Sequence, residues 1–332
     1  MRTAKLITVG VVTALAAAVP AAAQTPVDRT VATAATGQVE IHNVTGSVEV
    51  TGWDRSEVRV TGTLGEGTER LEVSESGDRV VLRVIIPEGR RNVGETDLVV
   101  RVPARKNLVV RTVSAEIEVS GVGGNVDSRS TSGSVAVTGA PASVRSSSTS
   151  GHVRVDVTTA RVEANSTSGH VEVAGTVRES VAAETVSGHV EVRAATPEVA
   201  AKSVSGNVTV VGATSRVAAS TVSGSVRVQG GRLQYGAFES VSGSLSFVGQ
   251  LQGDAALNFV SHSGDVRVGL PDGVGARFEV STFSGNIRNG LGPAAQRVSR
   301  YGPGQELSFS SGNGGALVRV KSFSGSVTLG SD

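Results

Sequence analysis

Cysteine is absent from this sequence of 332 residues. Its absence excludes disulfide bonds, a thiol nucleophile, a lipid anchor on cysteine and zinc sites with cysteine ligands. A charge excess is absent too, because 31 lysine and arginine residues balance 30 aspartate and glutamate residues, with no block of either sign. We therefore expect neither a nucleic-acid partner nor electrostatic attachment to a membrane surface.

Aromatic residues are scarce, with one tryptophan, two tyrosines and seven phenylalanines, whereas 42 residues are glycine. A core must then be assembled from small apolar side chains, chiefly valine. This composition is typical of many short strands joined by tight corners.

A long apolar run occurs once, over residues 6–18, after the positively charged Arg2 and Lys5. Pro20 ends the run, and three alanines at 21–23 supply the small-residue site of a cleaved signal peptide. The run is shorter than the about 20 residues of a membrane-spanning helix. The sequence therefore predicts a signal peptide over residues 1–23, no integral membrane segment after cleavage, and export to the periplasm, cell surface or medium.

A repeated motif, Ser-Gly-x-Val-x-Val, dominates the rest of the chain. Its glycines recur at intervals of 18–21 residues, except for a last interval of 40, which we interpret as hiding one further, degenerate turn. The ten glycines are Gly133, Gly151, Gly169, Gly188, Gly206, Gly224, Gly243, Gly264, Gly285 and Gly325.

Inward and outward positions alternate on both sides of each glycine. In the copy around Gly151, Val144 and Ser146 precede the glycine by seven and five residues, and Val153 and Val155 follow it by two and four. The residue three before the glycine is always serine or threonine. A period of two predicts two short strands that bury one face, with glycine at the corner because it tolerates a positive φ.

One such unit is too small to bury its own face, whereas stacked units form a continuous core. The chain is therefore predicted to be all-β, a single-stranded parallel β-helix with 18–21 residues per rung. We expect it to be right-handed, as parallel crossovers are. Propeller blades repeat at about 40–45 residues, and an antiparallel sandwich does not repeat one residue type at one offset so often.

The same frame occurs twice upstream of the repeats. In one copy Leu108 begins the frame and Ala115 stands in the glycine position, and in the other Val39 begins it and Gly46 is the glycine. We expect a flexible lead-in over residues 24–36, an N-terminal β region over 37–107 that covers the first rung, and solenoid repeats over 108–332.

The position after the glycine holds histidine in three successive copies, His152, His170 and His189. Imidazole binds zinc and copper, but a linear stack of rings does not converge on one ion as a tetrahedral site requires. We therefore predict a solvated polar ladder, with no metal site and no cofactor. The serine and threonine ladders have no base in frame, so we predict no catalytic residue.

All seven phenylalanines lie between Phe238 and Phe323. Several of them fall on inward positions, so we interpret the group as a wider core near the C-terminal end rather than as an aromatic binding strip. The stretch 290–305, with Arg297, Arg300 and Tyr301, interrupts the short turns and is predicted to be a long loop.

Several segments resemble the bacterial putative-adhesin family of unknown function. They are the opening Gly37-Gln38-Val39-Glu40-Ile41 with the later Gly52-Trp53-Asp54, the segment Val100-Arg101-Val102-Pro103, the Ser-Gly-x-Val-x-Val turns, and Gly312-Asn313-Gly314-Gly315. The resemblance extends over nearly all of the chain after residue 23. It implies an exported β-helical protein, suggests adhesion, and supplies no catalytic residues.

We therefore expect an exported, non-enzymatic β-solenoid that acts as an adhesin or as a scaffold for a protein, glycan or surface ligand. Two alternatives remain. One is a β-helical carbohydrate-active enzyme, a polysaccharide lyase or hydrolase, which would need clustered carboxylates in a groove. The other is a structural component of the cell envelope that associates end to end.

Overall fold

The computed structural model describes residues 24–90, 92–298 and 302–331, and this part of the chain is all β, without a helix. The predicted signal peptide, residues 1–23, lies outside the described residues. The strands are β1 (Thr25–Ala32), β2 (Gln38–Asn43), β3 (Gly46–Trp53), β4 (Glu57–Leu64), β5 (Arg70–Ser76), β6 (Arg79–Ile85), β7 (Thr96–Pro103), β8 (Asn107–Thr112), β9 (Glu116–Ser120), β10 (Asn125–Ser130), β11 (Val135–Gly139), β12 (Ser143–Ser148), β13 (Val153–Ser166), β14 (Val171–Thr185), β15 (Val190–Ser203), β16 (Val208–Ser223), β17 (Val226–Ser242), β18 (Leu245–Ser263), β19 (Val266–Leu270), β20 (Ala276–Ser284), β21 (Ile287–Asn289), β22 (Gln296–Arg297), β23 (Gln305–Ser311), β24 (Ala316–Ser324) and β25 (Val327–Ser331).

Neighbouring copies of the repeat pair in parallel and in register. Val153 lies beside Val171 and Val162 beside Val181, so the offset between paired residues is one repeat. The strand that follows one corner glycine continues into the strand that precedes the next corner glycine, as in β13. A shift of register between Thr159 and Arg161 marks a second bend within this long strand. The result is a solenoid-like stack of repeats, in which equivalent side chains form columns.

Valine columns fill the interior of this stack. Residues of β13 alternate between buried and exposed positions over most of its length, and Val153, Val155 and Val162 are at most 1% exposed. The predicted upstream copies belong to the same columns, because Val39 pairs with Leu108 and Leu108 pairs with Val126. The side chains that alternate inward along each strand thus form one continuous core through the stack.

Glycine is required at the corner by close approach of the copies, and the expected positive φ is found only in part of the corners. Gly243, Gly264 and Gly325 have a positive φ, whereas the other corner glycines, such as Gly151 and Gly169, do not. A methyl group on Gly151 would lie 2.2 Å from the carbonyl oxygen of Gly133, and one on Gly169 would lie 2.1 Å from that of Gly151. There is therefore no room for a side chain between successive corners.

The repeats do not stack in chain order at the C-terminal end. β24 pairs in parallel with β18 on one side and with β20 on the other, and β25 lies in the same way between β19 and β21. The last copy of the motif is thus inserted before the penultimate one. The interval of 40 residues does not contain the predicted further turn, because β23 runs antiparallel to β20 and covers the end of the stack.

The N-terminal end has the same arrangement. β2 lies between β6 and β8, and β3 lies between β7 and β9, all in parallel. β5 and β4 then run antiparallel to β6 and β7, respectively.

The segment 24–36 was expected to be a flexible lead-in, and the structure corrects this expectation. It contains β1, which pairs with β4 over eight residues. Both faces of β1 are largely exposed, so its sequence shows no alternation from which a strand could be predicted.

The close approach of the corners can be tested with two glycine variants. We expect Gly169→Ala to lower the free energy of unfolding by about 1–3 kcal/mol, the usual cost of overpacking, as measured by urea denaturation. Gly253→Ala is the matched control, since no atom lies within 4 Å of the position of its methyl group. Equal losses in the two variants would contradict the explanation.

The stacking order at the C-terminal end predicts the effect of truncation after Gly315. Because β20 rests on β24 and not on β18, removal of β24 and β25 should leave residues 276–289 without their parallel neighbour. We expect the amide hydrogens of this segment to lose their protection against exchange, while those of 190–203 keep it. If the copies stacked in chain order, residues 276–289 would stay protected.

Candidate binding surface

The glycine corners expose one column of large apolar side chains. The residue two before each corner glycine points outward, because the residue three before it points into the core. From the fourth repeat onward this outward position is apolar or aromatic. We define the corner strip as Val186, Val204, Val222, Val241, His262, Phe323 and Phe283, in the order in which they stack.

Side chains of the corner strip are well exposed and in mutual contact at its aromatic end. Phe283 is 64% exposed and Phe323 is 49% exposed. The ring of Phe323 stacks on Phe283 at 4.9 Å and on His262 at 4.8 Å, with 7° between the planes in both cases. Phe323 occupies this position only because β24 is inserted between β18 and β20. The insertion therefore sets the order of the rings, with Phe323 between His262 and Phe283.

The phenylalanines divide between the core and this surface. Phe238, Phe247 and Phe259 are at most 1% exposed, in agreement with the predicted wider core, and so is Phe278. The same interpretation is wrong for Phe283 and Phe323. Their offset of two from the glycine places them outward in the alternating frame, so this offset was the signal that could have identified them.

Hydroxyl groups hold the corner together from the inside. The hydroxyl of Ser148 accepts a hydrogen bond from the backbone N–H of Gly151 at 2.9 Å and donates one to the carbonyl oxygen of Gly133 at 2.9 Å. Ser166 repeats this pattern with Gly169 and Gly151. Both hydroxyls thus connect two copies, and this part of the predicted serine and threonine ladder has a structural role.

The three predicted histidines form a stacked column on the other side of the corner. The rings of His152 and His170 are 4.9 Å apart with 9° between their planes, and those of His170 and His189 are 4.9 Å apart with 2°. The backbone N–H of His170 donates a hydrogen bond to Nδ1 of His152 at 3.0 Å, and that of His189 donates one to Nδ1 of His170 at 3.0 Å.

This geometry determines the tautomer of the rings. Because Nδ1 accepts a hydrogen bond, the proton of the neutral ring is on Nε2, and neither nitrogen has a free lone pair for a metal ion. Burial among its neighbours, and then the neighbouring His189 and His152, lower the pKa of His170. Within the described residues no group of three or more histidine and carboxylate side chains is arranged to hold a metal ion.

A groove of about 380 Å³ continues the histidine column toward the N-terminal end. Its lining includes Glu49, Glu116, Glu118, His152 and Arg154. Glu49 and Glu118 are direct neighbours on paired strands. The groove is the place in this structure that most resembles the carboxylate cluster expected of the enzymatic alternative.

Two further ionisable groups near the N-terminal end have structural explanations. Burial alone would raise the pKa of Glu40, but hydrogen bonds from Arg79 and His42 outweigh burial and hold this pKa below its usual range. The amine of Lys106 donates a hydrogen bond to the carbonyl oxygen of Asp78 at 2.6 Å, and burial lowers the pKa of this amine. Both side chains join strands of the end cover, so neither indicates a site.

Comparison with known proteins identifies a family for this chain but does not identify a function. A family model described as Toastrack DUF4097 matches residues 27–230. A putative adhesin of known structure from Parabacteroides distasonis aligns with a TM-score of 0.49 and 15% identity, over 69% of this chain and 96% of that one.

Two further solved structures are more weakly similar. A putative adhesin from Bacteroides fragilis gives a TM-score of 0.45 and 16% identity over 69% and 97% of the two chains. A putative lipid binding protein from Parabacteroides distasonis gives 0.32 and 12% over 92% and 96%. The curated proteins contain no match.

Among the described residues, no helix has the length and apolar character needed to cross a bilayer.

The hydroxyl contacts of the corner predict opposite results for two substitutions of Ser148. Ser148→Ala leaves the buried N–H of Gly151 without an acceptor, so we expect a loss of about 1–3 kcal/mol in the free energy of unfolding. Ser148→Thr should be tolerated, because Thr185 makes the equivalent bond to the carbonyl oxygen of Gly169 at 2.9 Å. Thermal and urea unfolding of both variants measure the difference, and a stable alanine variant would contradict the assigned role.

Proposed function

The chain belongs to the Toastrack family, and on this premise we propose that it is an exported, non-enzymatic scaffold that binds a partner through the corner strip. We further propose that its stack is a right-handed, single-stranded parallel β-helix. The family model covers residues 27–230, and the parallel register of successive copies supports this form of the fold.

One observation carries the binding proposal: the corner strip exposes a continuous line of six apolar side chains and one histidine on a rigid backbone. Seven positions at about 4.8 Å per strand give a ridge roughly 30 Å long. Contiguous exposed apolar surface of this kind marks interaction sites in soluble proteins. The backbone under the ridge is fixed by hydrogen bonds between copies. Binding therefore costs little entropy for ordering this surface.

The form of the strip indicates the kind of partner. It is a ridge one residue wide, bordered on one side by the exposed serines that precede each glycine, such as Ser205 and Ser223. A ridge of this shape is complementary to an apolar groove in another protein. Its lack of charge does not favour an anionic lipid surface or a polyanion.

Export is supported by the sequence of residues 1–23, which lie outside the described part. The absence of cysteine is compatible with any compartment. Fractionation of the native cell, with detection of the protein in periplasm, outer surface and medium, tests this part of the proposal.

The decisive experiment changes the aromatic end of the strip. We expect Phe283→Ser combined with Phe323→Ser to reduce binding of protein-coated beads to cells or matrix proteins at least tenfold, because the largest exposed apolar surface is lost. Val260→Ser is the matched control, since Val260 is 39% exposed but lies outside the strip. The bound fraction is measured by flow cytometry, after circular dichroism has shown that each variant is folded.

Other outcomes of this experiment would reject the proposal. If the double variant binds like the unchanged protein, or if Val260→Ser loses as much, the strip is not the binding surface. Turnover of a polysaccharide that depends on Glu49 or Glu118 would support the enzymatic alternative and its groove. Growth of particle size with concentration would support end-to-end association, which the antiparallel covers at both ends do not favour.

A further inference from the structure

The histidine column completes the backbone hydrogen bonding of the corner. In each copy, the carbonyl oxygen of the residue after the glycine accepts from the neighbouring copy, as Val153 N–H donates to His170 at 2.9 Å. In five of the copies, the N–H of the same residue has a side chain of the neighbouring copy as its acceptor. His152, His170 and His189 accept in this way from His170, His189 and Asn207, each at 3.0 Å.

Other side chains perform the same task farther along the stack. Asn207 accepts from the N–H of Ser225 at 2.9 Å through its amide oxygen. Asp265 accepts from the N–H of Ser326 at 2.9 Å through its carboxylate. In these copies the side chain after the glycine supplies an acceptor directed at the next copy, and histidine is the residue there that loses its acceptor on protonation near neutral pH.

Protonation of these rings has two unfavourable consequences. The new proton goes to Nδ1, so the ring would face the backbone N–H of the next copy with a second donor. It also creates like charges on rings that lie only 4.9 Å apart. Both effects oppose protonation in the stacked state and are absent once the corner has opened.

At His170, the middle ring, nearby charged groups do little to offset this repulsion. On the strand side the column faces Arg154, Glu172 and Glu191. Glu172 is paired with Arg154 at 3.2 Å, and Glu191 is paired with Arg193 at 2.5 Å. At the N-terminal end, Glu49, Glu116 and Glu118 line the groove next to His152, whereas His170 and His189 lie one and two copies farther along. The other neighbours are neutral: the serines before each glycine, Ser134 above His152 and Asn207 below His189.

We propose that the three stacked histidines act as a proton-sensitive latch that opens the corner of these repeats when the pH falls. The inference rests on the proposed function in one respect, because His189 and Val186 belong to the same turn. Opening would displace the first member of the corner strip and weaken binding in acid. The opening itself requires no ligand.

The direction of the pH dependence follows from the lowered pKa of His170. The open state binds protons more readily than the stacked state, so acid favours opening. The stabilising contribution of the column is complete above the ordinary histidine pKa of about 6.5 and is lost progressively as the pH falls below it.

Amide hydrogen exchange followed by NMR tests the latch without any ligand. From pH 7.5 to pH 5.5, after correction for intrinsic exchange, we expect the protection of the amides of His170, His189 and Asn207 to fall at least tenfold. The amide of Ser225 is an internal control, because its acceptor, Asn207, does not titrate. In the triple variant H152N/H170N/H189N, which keeps an acceptor at each position, protection should not depend on pH.

Two results would overturn the proposal. One is unchanged protection of the three amides at pH 5.5 in the unaltered protein, and the other is an equal loss of protection in the triple variant. If the triple variant does not fold, ring titration in the unaltered protein decides, since the latch requires His170 to titrate below free histidine. Failure of the binding proposal would leave these outcomes unaffected, because no partner is present.

Discussion

Close contact between successive glycine corners is the constraint on which the rest of the structure depends. Successive corners are so close that a methyl group on Gly188 would lie 2.1 Å from the carbonyl oxygen of Gly169. That contact brings the serine or threonine hydroxyl within reach of two copies and keeps the valines in register. It also aligns the outward positions, so any residue type that recurs there becomes a column rather than a set of scattered side chains.

The body of the fold could be predicted from the sequence because its determinants are local and repeated. Alternation with a period of two distinguishes the inside from the outside, and the serine three before each glycine marks the corner. Val39 and Leu108 could be aligned with the repeats for this reason, although the first copy has Gly46 and the second has Ala115. A positive φ explains only some of the glycines, and the close approach that explains the others is not visible in the sequence of one copy.

The order of the copies at the ends could not be predicted, since it depends on which copy fits beside which. Every copy offers nearly the same edge, so Val318 and Phe278 are both acceptable neighbours for Leu257 by pattern alone. Strand β1 was missed because neither of its faces is buried. For the candidate site, the column of histidines was predicted from spacing, whereas the members of the corner strip follow from the offset of two from glycine and the order of its last three rings depends on the inserted copy.

Insertion of the last copy reverses the usual relation between synthesis and assembly. Residues 276–289 are synthesised before residues 316–331. In the folded stack, however, residues 276–289 pair with residues 316–331 as their parallel neighbours. Growth of the stack from earlier repeats can therefore proceed one copy at a time only as far as β18 and β19. Beyond that point two segments must wait for the end of the chain and then dock together, so completion of the C-terminal end is one concerted step with contacts over about 40 residues of sequence.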